Sequence, residues 1–248
     1  MQNLCIAQIT DIHLSHDKSP VHGIDTQSRW QEVLQLIKED KQVNSLVITG
    51  DICHDTPSIA QYQEIKSQIE ALNIHYHVLP GNHDDARMMA EVFGLNEWYN
   101  EDHLFYTEEY DFGKILFLDS SKSTLSIDQL IWIVEECNSS HYKFLLFLHH
   151  PPVYAGVPFM DINYPLLNRN EVQKVLAKAN NIQGIFCGHY HVARAVRMQH
   201  HVVFLSPSNA FQIDDSTEEL VIKHTPVAYR KIFWDGSNMR THIVWGNK

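Results

Sequence analysis

The first half of the chain alternates short apolar, β-branched runs with stretches whose apolar residues recur every three to four positions. Residues 4–9 (LCIAQI) form a continuous apolar run of strand length, and residues 45–49 (SLVIT) and 75–79 (HYHVL) repeat it. Between the first two, Trp30, Val33, Leu34 and Ile37 share one face, which predicts a helix over residues 30–39. Residues 59–72 and 84–93 read as further helices. This strand–helix order predicts parallel strands joined by right-handed crossovers.

Beyond residue 100 the rhythm changes. Residues 104–110 and 114–118 flank Asp111-Phe112-Gly113, a hairpin signal. Ser126-Ile127-Asp128-Gln129 has the form of a capping box, opening a helix to about Cys137. Residues 144–148 are a strand that stops at His149-His150-Pro151-Pro152, because proline cannot continue a central ladder. A loop rich in Pro, Gly and Asn runs to about Asn168, followed by a helix over residues 171–179 and a strand over 182–186. After Gly188 strands dominate, near residues 193–198, 202–205, 227–234 and 240–244. With no repeat, low-complexity tract or linker, residues 1–248 read as one mixed α/β domain with two sheets.

Composition narrows the function. Hydrophobic residues make up 44% and charged residues 20%, as in ordinary globular proteins. The formal net charge of -11 argues against a binder of nucleic-acid polymers, which needs a basic stripe to displace phosphate counterions. A small phosphate ester stays open, since bound cations reverse a local field. The opening MQNLCIAQITD lacks the pattern of a secretory leader, and no apolar run nears the ~18–20 residues of a membrane span. A cytoplasmic location without membrane attachment is expected. Cys5, Cys53, Cys137 and Cys187 form no CxxC pair and read as reduced thiols, three of them beside strands. The apolar C-terminal strands either complete the second sheet or pack a homodimer.

The chemistry-bearing residues share a position. Asp11-Ile12-His13, Gly50-Asp51, Gly81-Asn82-His83-Asp84, His149-His150 and Gly188-His189-Tyr190-His191 each follow an apolar strand. Ligand sites of α/β folds collect at the carboxyl ends of strands, so these ends meet along one rim. Asp-x-His and His-x-His place two donors where the turn after a strand lets both face one ion. Imidazole with carboxylate suits Zn, Fe and Mn. Asp51, introduced by a glycine and central in chain order, is the candidate for bridging two ions. Taken singly, each motif reads as a cap, a turn or a strand stop; five together at strand ends do not. Of the 17 histidines, His16, His22, His103, His141, His200, His201, His224 and His242 carry no motif and read as surface or structural. His75 and His77 alternate in a strand, which makes one of its faces polar or paired. His54 and His150 adjoin motif residues and are candidates for substrate or supporting contacts.

The ordered set D-x-H, G-D, G-N-H-D, H-H-P-P and G-H-x-H resembles the calcineurin-like metallophosphoesterase superfamily, from Asp11 to the terminal strands. Gly81 to Asp85, His149 to Pro152, Met160-Asp161, Ser206-Pro207-Ser208 with Phe211-Gln212, and Tyr229-Arg230 resemble its class III cyclic nucleotide phosphodiesterases, the Icc or CpdA type. The resemblance implies a four-layer α-β-β-α sandwich and two divalent or trivalent ions, Fe, Mn or Zn. One ion would be held by Asp11, His13, Asp51 and His191, the other by Asp51, Asn82, His149 and His189. His83 would be the catalytic histidine facing the phosphate, oriented by Asp55 or Asp84, and Asn82 and His150 would lie close to the substrate. The implied reaction is one-step hydrolysis of 3′,5′-cyclic AMP to 5′-AMP, by in-line attack of a metal-bound hydroxide. Tyr154, Phe159, Tyr164 and Asn168 either contact the base or pack the loop. Two alternatives stand beside this: other small esters such as glycerophosphodiesters and 2′,3′-cyclic nucleotides, and a non-catalytic binding module on the same fold.

Overall fold

The computed structural model describes residues 4–139 and 141–247, so Met1–Asn3, where the reading against a leader begins, lie outside it. Strand β1 (Leu4–Ile9) is buried at every position, as a continuous apolar run covered on both faces must be. It is followed by α1 (Thr26–Glu39), β2 (Ser45–Thr49), α2 (Ile59–Glu70), β3 (His75–Leu79) and α3 (Ala86–Phe93). The short β4 (Tyr99–Asn100) and β5 (His103–Leu104) lead to β6 (Tyr106–Tyr110), β7 (Gly113–Phe117), α4 (Ile127–Ser139) and β8 (Lys143–Phe147). Next come α5 (Pro158–Asn163), α6 (Arg169–Leu176), β9 (Ile182–Cys187), β10 (Arg194–Met198) and β11 (His201–Leu205). The pair β12 (Gln212–Ile213) and β13 (Ile222–Lys223) precedes β14 (Ala228–Trp234) and β15 (Met239–Trp245).

Two mixed sheets form the centre. One has the order β15-β14-β1-β2-β3, with β1, β2 and β3 parallel; the other has β10-β11-β9-β8-β7-β6, with β7, β8, β9 and β11 parallel. Ile6, Leu46, Phe117, Phe147 and Phe186 belong to one apolar cluster that fills the space between the sheets and extends to Trp30, Val33 and Tyr62 of α1 and α2. Leu116, Leu146 and Ile185 face the opposite way and pack with Ile133 of α4 and Val172 of α6. The layers are therefore α-β-β-α. The parallel strands point their carboxyl ends at one rim, and the motif loops leave from there.

Four departures from the sequence reading have local causes. Helix α1 starts earlier than the apolar spacing shows, because Asp25 caps it by accepting the Ser28 N–H at 3.0 Å. Only half of the Ser126 capping box forms. Ser126 Oγ accepts from Gln129 N–H, but the Gln129 amide instead brackets the backbone N–H and C=O of Asp119 at 2.8 Å each. The loop after His149 contains α5, whose first turn carries Asp161; its carboxylate accepts the N–H groups of Ala155, Gly156 and Val157 and ties the entering chain to the helix. Finally, the C-terminal strands complete the first sheet and not the second. β14 runs antiparallel to β1, the edge that the β1–β2–β3 unit leaves open, while β10 and β11 finish the second sheet.

The four cysteines are buried and unbridged, as expected. Among the described residues no helix is long and apolar enough to cross a membrane.

Polar groups stitch the sheets together. Gln8 of β1 donates to Thr49 Oγ1 and the Cys187 carbonyl, and accepts from Ser206 Oγ at 2.6 Å. Arg230 of β14, buried among these groups, donates to Ser206 Oγ and the Leu205 carbonyl at 2.9 Å each. At the other flank, β3 and β6 are the free edges of their sheets. There the Tyr106 hydroxyl donates to the Val78 carbonyl at 2.8 Å and accepts the Val78 N–H at 3.2 Å, doing the work of a neighbouring strand. Tyr106→Phe removes both bonds and leaves two buried backbone groups unpaired. The expected loss is about 1–3 kcal/mol of stability in urea unfolding, against an unchanged slope.

Candidate metal centre

The five motif loops meet at the rim because backbone bonds continue the sheet past its strands. The N–H groups of Ile12 and His13 both reach the Asp51 carbonyl, Leu14 N–H reaches Ile52, and Asn209 and Ala210 donate to the carbonyls of Thr10 and Asp11. Loop is then tied to loop through the two carboxylates. Asp11 accepts the His189 N–H at 2.9 Å, and Asp51 accepts the His83 N–H at 2.9 Å. The glycines of the motifs follow from this crowding: a Cβ on Gly81 would fall on the Asp51 carboxylate, and one on Gly188 on the Thr10 hydroxyl.

Asp11, His13, Asp51, His189 and His191 all have positive φ, between 49° and 67°. Non-glycine residues take this left-handed conformation at a cost of roughly 1 kcal/mol each, Asp and His being among those that tolerate it best. The alternation explains how residues two apart in D-x-H and H-x-H aim at one point. An extended backbone would send them to opposite faces. Such concentrated strain is characteristic of functional sites.

Two fully buried groups of donor atoms result. One holds Asp11, His13 and His191, the other Asp51, His149 and His189, each with its ligand atoms within 4.8 Å of one another and every residue buried. His13 Nε2 lies 3.2 Å from His191 Nε2, and His149 Nε2 lies 3.2 Å from His189 Nδ1. Asp51 Oδ2 stands between the groups, 3.6 Å from His13 Nε2 and 3.3 Å from His149 Nε2.

The outward nitrogens of these rings donate to backbone carbonyls: His149 Nδ1 to Thr49, His189 Nε2 to Tyr164, and His191 Nδ1 to Phe211, at 2.8–2.9 Å. In a neutral ring each bond fixes the tautomer and turns the other nitrogen's lone pair inward, as backbone partners do for metal-bound histidines. Ring nitrogens 3.2 Å apart need a proton or a cation between them, and two nitrogens at about 2.1 Å from a shared ion have that spacing.

The electrostatics agree. Burial opposes charge on Asp11 and Asp51, yet the surrounding histidines hold Asp11 down at about 2 and Asp51 well below the carboxylate range. Burial disfavours a charged His149, but Asp51 overrides it and raises this ring to about 9. Burial and the neighbouring His149 lower His189 to about 3, and burial lowers His13 to about 3 despite Asp51. The carboxylates thus stay charged while His13 and His189 stay neutral with lone pairs to give, and this donor set fits metal ions.

Of the seven predicted ligands, six are buried in these groups; Asn82 is exposed, in the turn beside His83. His83 is half-buried at the rim, its ring edge-on to His13 at 4.9 Å and stacked on His54 at 5.9 Å. Neither carboxylate proposed to orient it does so. His83 Nδ1 donates to the His54 carbonyl at 2.6 Å. Asp84 is turned away to accept the N–H groups of Ile52, Cys53 and Gly81 and the Tyr62 hydroxyl, and Asp55 accepts from His16 N–H. His150 is buried behind His189, ring centroids 4.0 Å apart, and bonds Ser120 Oγ at 3.0 Å. Asn168 is committed to both backbone groups of Leu125, and the Tyr154 ring is covered by the Arg169 guanidinium at 3.4 Å.

Sequence reasoning missed Phe211 as a site residue. Besides its carbonyl bond to His191, its ring lies 4.5 Å from His191 and 5.8 Å from His13. His22, read as surface or structural, is exposed and lies on the same rim, 5.1 Å from Phe211 and 6.1 Å from His54.

The family model for the calcineurin-like phosphoesterases matches residues 5–193. A probable cyclic nucleotide phosphodiesterase of Fibrobacter succinogenes is 33% identical, over 98% of this chain and 94% of its own. The 3′,5′-cyclic adenosine monophosphate phosphodiesterase CpdA of Escherichia coli is 32% identical over 75% and 69%. A probable glycerophosphodiester phosphodiesterase of Arcobacter nitrofigilis is 29% identical over 99% and 94%. Among solved structures, a dimetal phosphatase from Danio rerio superposes with a TM-score of 0.70 over 96% of this chain and 98% of its own, at 13% identity, which speaks to the fold. The chain belongs to the calcineurin-like phosphoesterase family. Within it, the chain is a metallophosphoesterase of the Icc/CpdA type, a hydrolase of the dinuclear class.

The strain at the site is measurable. In chelated protein, His191→Gly is expected to be about 1 kcal/mol more stable to urea than His191→Ala, since both delete the ring but only glycine is relaxed at positive φ. Equal stabilities would show that residue 191 does not hold this conformation.

Proposed function

We propose that the chain hydrolyses small phosphodiesters, with 3′,5′-cyclic AMP converted to 5′-AMP. The reading is carried by the two facing pairs of histidine nitrogens with Asp51 Oδ2 between them, a layout that suits two adjacent cations. Asp11, His13, Asp51 and His191 would hold one, and Asp51, Asn82, His149 and His189 the other. When bound, such ions supply positive charge that makes water acidic enough to attack phosphorus and neutralises the phosphoryl oxygens.

The protein's own groups set the rest. Asp51 uses Oδ1 on the His83 N–H, which ties the Gly81–Asp84 turn to it and would leave Oδ2 to serve both ions. His83 commits Nδ1 to the His54 carbonyl, so Nε2 is the nitrogen that holds or delivers a proton. From the half-buried rim it would protonate the leaving sugar oxygen. Thr49, Tyr164 and Phe211 hold three of the ligand rings through their carbonyls, so the site is organised before substrate arrives. Similarity to cyclic nucleotide phosphodiesterases over nearly the whole chain supports the substrate class, and similarity to the glycerophosphodiester enzyme supports a pocket that admits other small diesters.

The test is conversion of 3′,5′-cyclic AMP by manganese-loaded protein, with glycerophosphoethanolamine assayed in parallel and a chelated control. Metal-dependent 5′-AMP at an enzymatic rate is the expected result. Turnover of the glycerophosphodiester alone would reassign the substrate, and no turnover of either by protein holding two ions would overturn the reading. His83→Ala is expected to keep both ions and lose roughly 10²–10⁴-fold, mostly in kcat. Asn82→Ala is expected to weaken one ion and slow turnover. Metal analysis beside kinetics separates the two cases.

A further inference from the structure

Another group of candidate metal-ligating side chains lies away from the rim. His75 and His77 of β3 and Glu108 of β6 bring one ligand atom each to within 4.8 Å of the others. His75 opens its strand, whereas the catalytic turn leaves the opposite end at Gly81, roughly 20 Å away at ~3.3 Å per residue. The group sits on the seam between the free edges of the two sheets, beside the bonds that join Tyr106 to Val78.

We propose that His75, His77 and Glu108 form a further metal site that binds a divalent transition ion of the zinc class across the two sheet edges. Three observations carry it. First, alternation along the strands puts His75 and His77 on one face of β3, and Tyr106 and Glu108 on one face of β6, so the donors meet across the seam. Second, His75 Nε2 and Glu108 Oε1 are 3.6 Å apart, beyond a good hydrogen bond but suited to two donors sharing an ion. Third, His77 is buried and its Nε2 has no hydrogen-bond partner among the described residues, a costly state for a polar atom that binds nothing. The ring is held in place by stacking on Phe117 at 4.6 Å and edge contact with His75 at 4.7 Å. Burial lowers its pKa to about 3, so it stays neutral and keeps a lone pair at physiological pH. Two imidazoles and one carboxylate leave a fourth position for water, a familiar donor set for zinc.

Zinc is the probe. Manganese-loaded wild-type protein and the variants Glu108→Gln, His75→Ala and His77→Phe are brought to equilibrium dialysis against zinc, and bound zinc per chain is measured. None of these residues belongs to the phosphoesterase machinery, so unchanged phosphodiester turnover certifies that each variant is folded. Any exchange of zinc into the catalytic centre is common to all four proteins. Wild type is expected to bind one equivalent more than Glu108→Gln and His75→Ala at matched free zinc, with affinity for that equivalent reduced at least tenfold in each. It is also expected to gain thermal stability from zinc that these variants do not, since the ion ties two edges together. Equal stoichiometry and equal stabilisation across the four would overturn the site. So would loss of the extra equivalent in none but His77→Phe, because the proposal needs all three donors.

Discussion

Everything at the rim depends on two buried carboxylates, Asp11 and Asp51, whose ion-pair partners among the described residues are histidines alone. Anions removed from water need compensation, and a protein built for stability would supply lysine, arginine or nothing charged. Here each carboxylate takes one backbone N–H and presents its remaining capacity to imidazole nitrogens. Those nitrogens carry a proton or accept a cation, so the field that makes the site expensive when empty of charge is also what gives it affinity. The rest of the architecture can be understood as a frame for this arrangement: two sheets whose parallel strands end together, and glycines where no side chain fits.

The frame bears a second cost. Five of the candidate donor residues sit in the left-handed region, together worth on the order of 5 kcal/mol of backbone strain. This is offset by an apolar core that spans both sheets and the helices outside the first, and by the polar seam from Gln8 through Ser206 to Arg230. Burial pushes the Arg230 guanidinium down to about 10, still charged at neutral pH, so its bonds to Ser206 and to the Leu205 carbonyl are charge-assisted ties close to the catalytic loops.

How much was legible in advance varied with the kind of information each residue carries. The strands showed themselves because burial on both faces demands unbroken apolar runs, and β1, β2 and β3 match the predicted segments to the residue. The donor residues were legible because imidazole and carboxylate at strand ends have few structural uses in such numbers. The pairing of the C-terminal strands was not, since apolar alternation states that a strand has a buried face without saying which sheet supplies the neighbour. The orientation of His83 was misjudged for a related reason. Its partner is the carbonyl of His54, and every residue has a carbonyl, so no side chain marks the spot. The same holds for Thr49, Tyr164 and Phe211, whose contributions to the ligand rings lie in the backbone.

The bond from His189 to the Tyr164 carbonyl joins a candidate metal donor to the loop that carries α5, with its exposed Ile162 and Tyr164 side chains. That loop is the natural place for substrate range to diverge among related enzymes, as surface loops vary faster than the elements they connect. Yet here it cannot be exchanged freely. A replacement loop that fails to return a carbonyl to the same point would release the His189 tautomer and unsettle that donor. Selection for a new substrate must therefore pass through sequences that preserve one backbone position while altering the side chains around it. Specificity and cofactor retention are inherited together, and a graft that transfers one without the other should yield a well-folded protein with an incomplete centre.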